Sequence, residues 1–146
     1  MLERIEKLKE VLSKPKKIVI TTHRGPDGDA IGSSLALYNL LTKNHHSVSV
    51  VTPNDYASFL HWLPGNDNVV EYESSKDKAV DLVNSAEVIF MLDFNDISRI
   101  DGLSKYVSSS NAYKILIDHH QDPHNDIADL IFSEPTICST AQLLFE

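Results

Sequence analysis

Three short apolar runs, each followed directly by acidic or imidazole side chains, constrain the fold of this chain most strongly. The runs cover residues 17–22, 87–93 and 113–118 and are rich in β-branched residues, which predicts buried strands. Segments with apolar residues at helical spacing follow at 30–43, 76–85 and 97–108. Strands that alternate with helices are typical of βαβ units. The sequence therefore predicts an α/β fold, a Rossmann-like parallel sheet with helices on both faces.

The remaining segments extend this pattern. Apolar residues from Leu2 to Leu12 predict an opening helix that ends near Pro15. Further strands are expected at 47–52, 69–70 and 130–132, a short helix around 58–61, and the start of a helix at Ser139. We find no internal repeat and no linker, so residues 1–146 are interpreted as one domain.

Composition excludes several classes of protein. The chain has 13 Lys and Arg and 21 Asp and Glu, which gives a net charge of -8. This charge argues against sequence-independent binding of duplex nucleic acid. The negative net charge does not exclude a small anionic substrate, because bound metal ions reverse the local electrostatic field. Cys138 is the only cysteine, and the sequence has neither a signal peptide nor a membrane span. We expect a cytoplasmic protein without a membrane or protein partner, although a homodimer is left open.

The polar residues at the strand ends have the chemistry of metal ligands. Ligands bind open parallel sheets at the carboxyl ends of strands, so these residues are expected to meet there. Carboxylates mixed with imidazole suit Mn²⁺, and also Mg²⁺, Zn²⁺ or Fe²⁺. Five or six such ligands suit two ions bridged by a carboxylate, which activate a water and clamp phosphoryl oxygens during phosphate ester hydrolysis. The candidates are His23, Asp27, Asp29, Asp93, Asp118, His119 and His120.

Small residues around the first cluster fit this interpretation. Gly28 is expected to let the loop turn tightly between Asp27 and Asp29. The helix that follows from Ala30 is expected to point amide donors and the positive end of its dipole at an anion.

The three clusters resemble motifs of a known family. His-x-x-x-Asp-x-Asp at 23–29, the isolated Asp93, and Asp118-His119-His120 are similar to motifs I, II and III of the DHH phosphoesterases. The stretch 26–33 is most similar to the nanoRNase and pAp-phosphatase (NrnA-like) branch. Family II inorganic pyrophosphatases share the metal pattern, but they usually carry Thr-Asp-Ser where this chain has Gly-Asp-Ala at 28–30.

The resemblance implies a role for each metal ligand. His23 and Asp27 are expected to bind one ion, and Asp29 and His119 the other. Asp93 is expected to bridge the two ions. The implied cofactor is a pair of Mn²⁺ ions, with Mg²⁺ as the alternative.

Roles for three further residues concern catalysis and substrate. The resemblance implies that Asp118 orients His119 or its loop, and that His120 faces the substrate phosphate as a donor or proton carrier. Arg99 is the preferred phosphate contact over Arg24, because it lies shortly after Asp93.

The implied activity is hydrolysis of short oligonucleotides, linear dinucleotides such as pApA, or 3′-phosphoadenosine 5′-phosphate (pAp). An inorganic pyrophosphatase and a non-catalytic metal-binding or interaction module are the alternatives. The family carries a fourth motif Asp beyond the DHH triplet and a second domain, DHHA1, and this sequence contains neither. We therefore expect the N-terminal part of a longer DHH/DHHA1 protein, with weak metal binding and poor hydrolysis by itself.

Other polar residues favour structural roles. His45-His46 follows a helix end, where a cation-capable side chain is compatible with the dipole. His61-Trp62 is interpreted as packing, His124 with Asp122 and Asp126 as a loop, and Asp96 as a helix cap.

Overall fold

Six parallel strands form the centre of the molecule in a computed structural model that describes residues 1–121 and 126–146. Their order across the sheet is β3-β2-β1-β4-β5-β6. The strands are β1 (Lys17–Thr22), β2 (Ser47–Thr52), β3 (Val69–Glu71), β4 (Val88–Leu92), β5 (Tyr113–Asp118) and β6 (Leu130–Ser133).

Helices cover both faces of this sheet, which confirms the predicted fold class. The helices are α1 (Leu2–Val11), α2 (Gly28–Lys43), α3 (Lys76–Ser85), α4 (Ser104–Ser109) and α5 (Thr140–Phe145). Short 3₁₀ segments occupy Ser58–Leu60, Asn66–Asn68 and Ile97–Leu103. Apolar residues of α1, α2 and α5 pack on one face of the strands, and those of α3 and α4 pack on the other. Successive strand residues therefore alternate between two buried layers.

The chain reverses its direction of travel across the sheet between β1 and β4. From β1 it proceeds outward to β2 and β3, and it then returns to place β4 on the other side of β1. Thr22 pairs with Leu92 at the end of these two strands. Such a switch point opens a crevice beyond the carboxyl ends of the strands. The residues that immediately follow β1 and β4, His23 and Asp93, therefore lie side by side in it.

The segment after β4 differs from the single helix predicted over 97–108. A 3₁₀ segment, Ile97–Leu103, is interrupted at Asp101, whose φ is 47°, before α4 begins at Ser104. A Cβ atom on Gly102 would lie 3.0 Å from the ring of Tyr72, so the close approach of that ring favours glycine there. Helical spacing of apolar residues does not reveal this tertiary contact.

The turn before α2 also differs from expectation. The helix begins at Gly28 rather than Ala30, with Asp27 as its N-cap. The expected tight turn at Gly28 is wrong, because the positive φ in this loop belongs to Gly25, at 61°.

The helix cap expected at Asp96 is confirmed, whereas His46 has a structural contact other than the expected one with the helix dipole. Nδ1 of His46 accepts a hydrogen bond from the backbone N–H of Lys16 at 3.2 Å, and the carboxylate of Asp96 caps the segment that starts at Ile97. The candidate pair Asp122 and His124 lies outside the described residues. Within the described parts of the chain, no helix has the length and apolarity that a membrane crossing requires.

Candidate metal centre

The loop after β1 fixes the tautomer of His23. The side chain is 7% exposed, and its Nδ1 donates to the carbonyl oxygen of Arg24 at 2.8 Å. In the neutral ring the lone pair is then on Nε2, which lies 3.5 Å from Oδ2 of Asp93 and 3.9 Å from Oδ1 of Asp27. A histidine held at one nitrogen by a carbonyl is the usual arrangement of a metal ligand.

The carboxylate of Asp27 caps helix α2 and also faces the crevice. Its Oδ1 accepts the backbone N–H groups of Asp29 and Ala30, at 3.1 and 3.0 Å. These amide donors of α2, which we expected to face a bound anion, therefore bind a carboxylate of the chain itself. That carboxylate is largely exposed and also faces His23.

Asp93 lies at the centre of the crevice. It is 2% exposed and adopts a φ of 67°, a left-handed conformation that is uncommon for residues other than glycine. Its backbone N–H donates to the carbonyl of Ile117 on the neighbouring strand at 3.1 Å. One carboxylate oxygen faces His23, and the other lies 3.7 Å from Nε2 of His119. Asp93 thus has imidazoles on both sides.

The two histidines after β5 are held by different partners. Nδ1 of His119 donates to the carbonyl of Ile137 at 3.3 Å, which leaves Nε2 directed at the carboxylates of Asp29 and Asp93, 3.7 Å from each. Nδ1 of His120 binds the fully buried carboxylate of Asp118 at 2.7 Å. Asp118 also accepts the backbone N–H of His120, so its contacts are with His120 and not with the ring of His119.

These residues form two groups of potential ligands that share one carboxylate. The His23 group consists of His23, Asp27 and Asp93, and the His119 group consists of Asp93, His119 and His120. Within each group the ligand atoms lie within 4.8 Å of one another. Carboxylate oxygens combined with imidazole nitrogens fit Mn²⁺ and similar divalent ions. The donor set therefore fits a pair of cations on either side of Asp93.

Asp29 is outside both groups and contacts a part of the site that the sequence did not reveal. Its two oxygens accept the backbone N–H groups of Thr140 and Ala141, at 2.8 and 2.9 Å. Thr140 also donates its hydroxyl to Asp93 at 2.8 Å. The only sequence signal here is the helix start predicted at Ser139, which is the N-cap of α5.

The carboxylates respond to these surroundings in opposite directions. Burial raises the pKa of Asp29, with a further contribution from the charge of Asp93, against the effect of the two amide donors. Burial also acts to raise the pKa of Asp93, but the contacts with His23 and Thr140 outweigh it and lower the pKa. The same contact with Asp93 raises the pKa of His23. The side chains of the crevice thus favour an ionised Asp93 beside a His23 whose pKa is raised.

The two arginines near the crevice differ in their contacts. Arg24 binds the carboxylate of Asp101 and lies 3.9 Å from Glu73. Its backbone N–H donates to the carbonyl of Arg99 at 2.7 Å, which ties the loop after β1 to the segment after β4. The side chain of Arg99 is exposed.

Comparison with protein families matches residues 17–146 to a model described as the DHH family, N-terminal domain. The chain belongs to the DHH family. This membership confirms the resemblance that the three motifs indicate.

Relatives of this DHH chain include an oligoribonuclease and PAP phosphatase and a cyclic-di-AMP phosphodiesterase. The bifunctional oligoribonuclease and PAP phosphatase NrnA of Thermus thermophilus is 32% identical over 97% of this chain and 40% of its own length. Cyclic-di-AMP phosphodiesterase GdpP of Bacillus subtilis is 25% identical over 95% of this chain and 22% of its own.

A similar solved structure is that of an exopolyphosphatase-related protein from Bacteroides fragilis. It has a TM-score of 0.97 and 41% identity, and the match covers 99% of this chain and 42% of that one. This DHH chain therefore spans about two fifths or less of the length of these relatives. The expected fourth motif and DHHA1 domain stay a prediction.

Proposed function

We propose that this DHH protein is a divalent-metal-dependent phosphoesterase that hydrolyses short oligonucleotides, linear dinucleotides such as pApA, or pAp. The observation that carries the proposal is the position of Asp93, which is buried at the switch point of the sheet and is common to both groups of potential ligands. A carboxylate shared between two ligand groups suits a pair of closely spaced cations, which supports two-metal hydrolysis of phosphate esters.

The proposed ligands differ from the two groups in one residue: Asp29, which lies beside His119, takes the place of His120, whose Nδ1 is bound to Asp118. His23 and Asp27 would hold one cation, His119 and Asp29 would hold the other, and Asp93 would be shared by both. Mn²⁺ is the proposed ion and Mg²⁺ the alternative. When bound, such a pair lowers the pKa of a water and stabilises the charge that develops on phosphoryl oxygens.

His120 and Asp118 are the proposed proton-handling pair. Asp118 occupies Nδ1 of His120, so Nε2 is the atom at which this ring accepts a proton or delivers one to a leaving oxygen. Because Asp118 is completely buried and also binds the backbone of His120, it fixes the ring in one orientation. The exposed Arg99 is the proposed contact to a substrate phosphate.

Charge and the relatives support the proposed substrate class. A net charge of -8 disfavours long duplex nucleic acid, whereas a small nucleotide needs only the local field of bound cations. NrnA is named as an oligoribonuclease and PAP phosphatase, and GdpP as a cyclic dinucleotide phosphodiesterase. Both names describe hydrolysis of phosphate esters on small nucleotides, which supports pApA and pAp as the first substrates to test.

The decisive experiment is turnover of pApA and pAp by the 146-residue chain, and by any longer chain that contains it, with Mn²⁺ or with EDTA. We compare wild type with Asp27→Asn, since asparagine still caps α2 while the ligand charge is lost. Asp67→Asn removes an exposed carboxylate of the 3₁₀ segment at Asn66–Asn68 and is the matched control. We expect Mn²⁺-dependent release of AMP that Asp27→Asn abolishes and Asp67→Asn retains.

Three other outcomes count against the proposal. Phosphate release from pyrophosphate, but not from pApA or pAp, would assign the site to an inorganic pyrophosphatase. Mn²⁺ binding without turnover of any of these compounds, in every length of chain tested, would assign a non-catalytic metal-binding module. Equal turnover by wild type and Asp27→Asn would show that this site does not catalyse the reaction.

A further inference from the structure

Thr140 connects two carboxylates of the metal centre that lie far from it in the sequence. Its backbone N–H donates to Oδ2 of Asp29 and its hydroxyl donates to Oδ1 of Asp93, both at 2.8 Å. The residue is 0% exposed. No other described residue donates hydrogen bonds from both its backbone and its side chain to these two carboxylates.

The backbone donors of α5 hold Asp29 in one orientation. Thr140 N–H binds Oδ2 and Ala141 N–H binds Oδ1, so two parallel hydrogen bonds define the plane of this carboxylate. Oδ2 keeps a further lone pair, which is available on the side of His119, whose Nε2 lies 3.7 Å away. Since Asp29 is in the first turn of α2, these bonds also join the starts of the two helices.

The hydroxyl of Thr140 holds the carboxylate of Asp93 in a similar way. It binds Oδ1, the oxygen that faces His119, and leaves Oδ2 facing His23. Rotation of the Asp93 carboxylate out of this plane would break the hydrogen bond and leave the Thr140 hydroxyl unpaired in a buried site, which is unfavourable. The hydroxyl therefore holds the plane of the Asp93 carboxylate so that one oxygen faces each group of ligands.

We propose that Thr140 is a positioning residue whose hydroxyl aligns the Asp93 carboxylate for simultaneous use by the His23 group and the His119 group. The inference rests on the proposed function in one respect, that these groups bind divalent cations. It adds that cation affinity depends on a side chain that is not itself a ligand.

Removal of the hydroxyl can be separated from loss of structure, because the cap of α5 lies on another residue. The Ser139 hydroxyl accepts the backbone N–H of Gln142 at 3.0 Å. Thr140→Val keeps the shape and the backbone N–H to Asp29 and removes only the hydroxyl. Thr140→Ser keeps the hydroxyl. Thr136→Val is the matched control, since the exposed Thr136 donates its hydroxyl to Glu134 at 2.7 Å, also in a side-chain hydrogen bond to a carboxylate.

The experiment measures Mn²⁺ affinity of the 146-residue chain by the electron paramagnetic resonance signal of free Mn²⁺, with unfolding in EDTA as a control for folding. We expect Thr140→Val to weaken Mn²⁺ binding about 10-fold or more, as loss of a hydrogen bond to a metal ligand usually does. Thr140→Ser and Thr136→Val are expected to bind within about twofold of wild type.

Several results would overturn the inference. These are wild-type affinity in Thr140→Val, equal losses in Thr140→Ser and Thr140→Val, or the absence of measurable Mn²⁺ binding by wild type. If Thr140→Val does not fold, the pair Thr140→Ser and Thr140→Ala differs by the same hydroxyl and gives the same test. A failure of the proposed function alone would look different. The protein would then bind Mn²⁺ in a way that depends on Thr140, but it would turn over none of the substrates.

Discussion

Nε2 of His23 lies 3.5 Å from Oδ2 of Asp93, at the adjoining ends of the two strands between which the sheet changes direction. Parallel pairing of β1 and β4 puts these residues side by side without any contribution from the intervening helices. The contact brings together an imidazole with a free nitrogen and a buried carboxylate with a second oxygen left for other partners. It forms the centre from which the rest of the site extends.

Asp93→Asn is expected to abolish Mn²⁺ binding at both ligand groups, since both depend on this carboxylate. The amide is nearly isosteric but neutral, so the loss should exceed that of a variant that affects one group only, such as Asp27→Asn. Calorimetric titration with Mn²⁺ measures the difference. Equal losses in the two variants would argue against a shared carboxylate.

His23 should give the metal-free protein a stability that depends on pH. The contact with Asp93 raises the pKa of His23 above its ordinary 6.5. Its contribution to the free energy of unfolding is therefore fully present below about pH 6.5 and is lost as pH rises through the folded-state value. Each unit of raised pKa corresponds to about 1.4 kcal/mol.

Urea unfolding in EDTA, from pH 5 to 9, measures this contribution as the difference in the free energy of unfolding between wild type and His23→Gln. The difference should shrink as pH increases. The range stays above the region in which Asp93, whose pKa is lowered from 3.8, takes up a proton. A difference that is constant or grows with pH would contradict the assignment.

The location of the site could be predicted from the sequence for a simple physical reason. Parallel strands align their carboxyl ends, so residues directly after apolar runs must share one edge of the sheet. That argument places His23, Asp93 and His119 together, as the structure has them. It needs only strand identity and direction, both of which the β-branched runs indicate.

Contacts that depend on the relative placement of helices and loops could not be predicted. The hydrogen bond from Thr140 to Asp93 requires the start of α5 to lie over the end of β4, which no periodicity encodes. The partner of Asp118 depends on the backbone path through the DHH triplet, which brings His120 to this carboxylate. The interruption at Asp101, and the approach of the Tyr72 ring to Gly102 beside it, are likewise not encoded in the spacing of apolar residues.

Asp118→Asn should lower turnover about 10- to 100-fold, because the amide can no longer act solely as an acceptor for Nδ1 of His120. Asparagine can donate to that nitrogen instead, which would place the ring proton on Nε2 and reverse the tautomer. Nitrogen-15 chemical shifts of His120 in the metal-free protein report the tautomer directly. Asp129→Asn, at an exposed carboxylate that accepts the backbone N–H of Lys114, is the control. Unchanged shifts together with unchanged turnover would remove Asp118 from the proton-handling pair.

Arg99→Gln should raise the KM for pAp about 10-fold, the effect of one lost charge-assisted hydrogen bond, while Mn²⁺ affinity stays as in wild type. Arg24→Gln is the matched comparison, because Arg24 is already bound to Asp101. Its loss should affect thermal stability by no more than about 1 kcal/mol, as an exposed ion pair does, and leave the KM within twofold. Steady-state kinetics on pAp with Mn²⁺ in excess separate the two cases. A larger effect on KM in Arg24→Gln than in Arg99→Gln would show that the phosphate is bound beside the β1 loop instead.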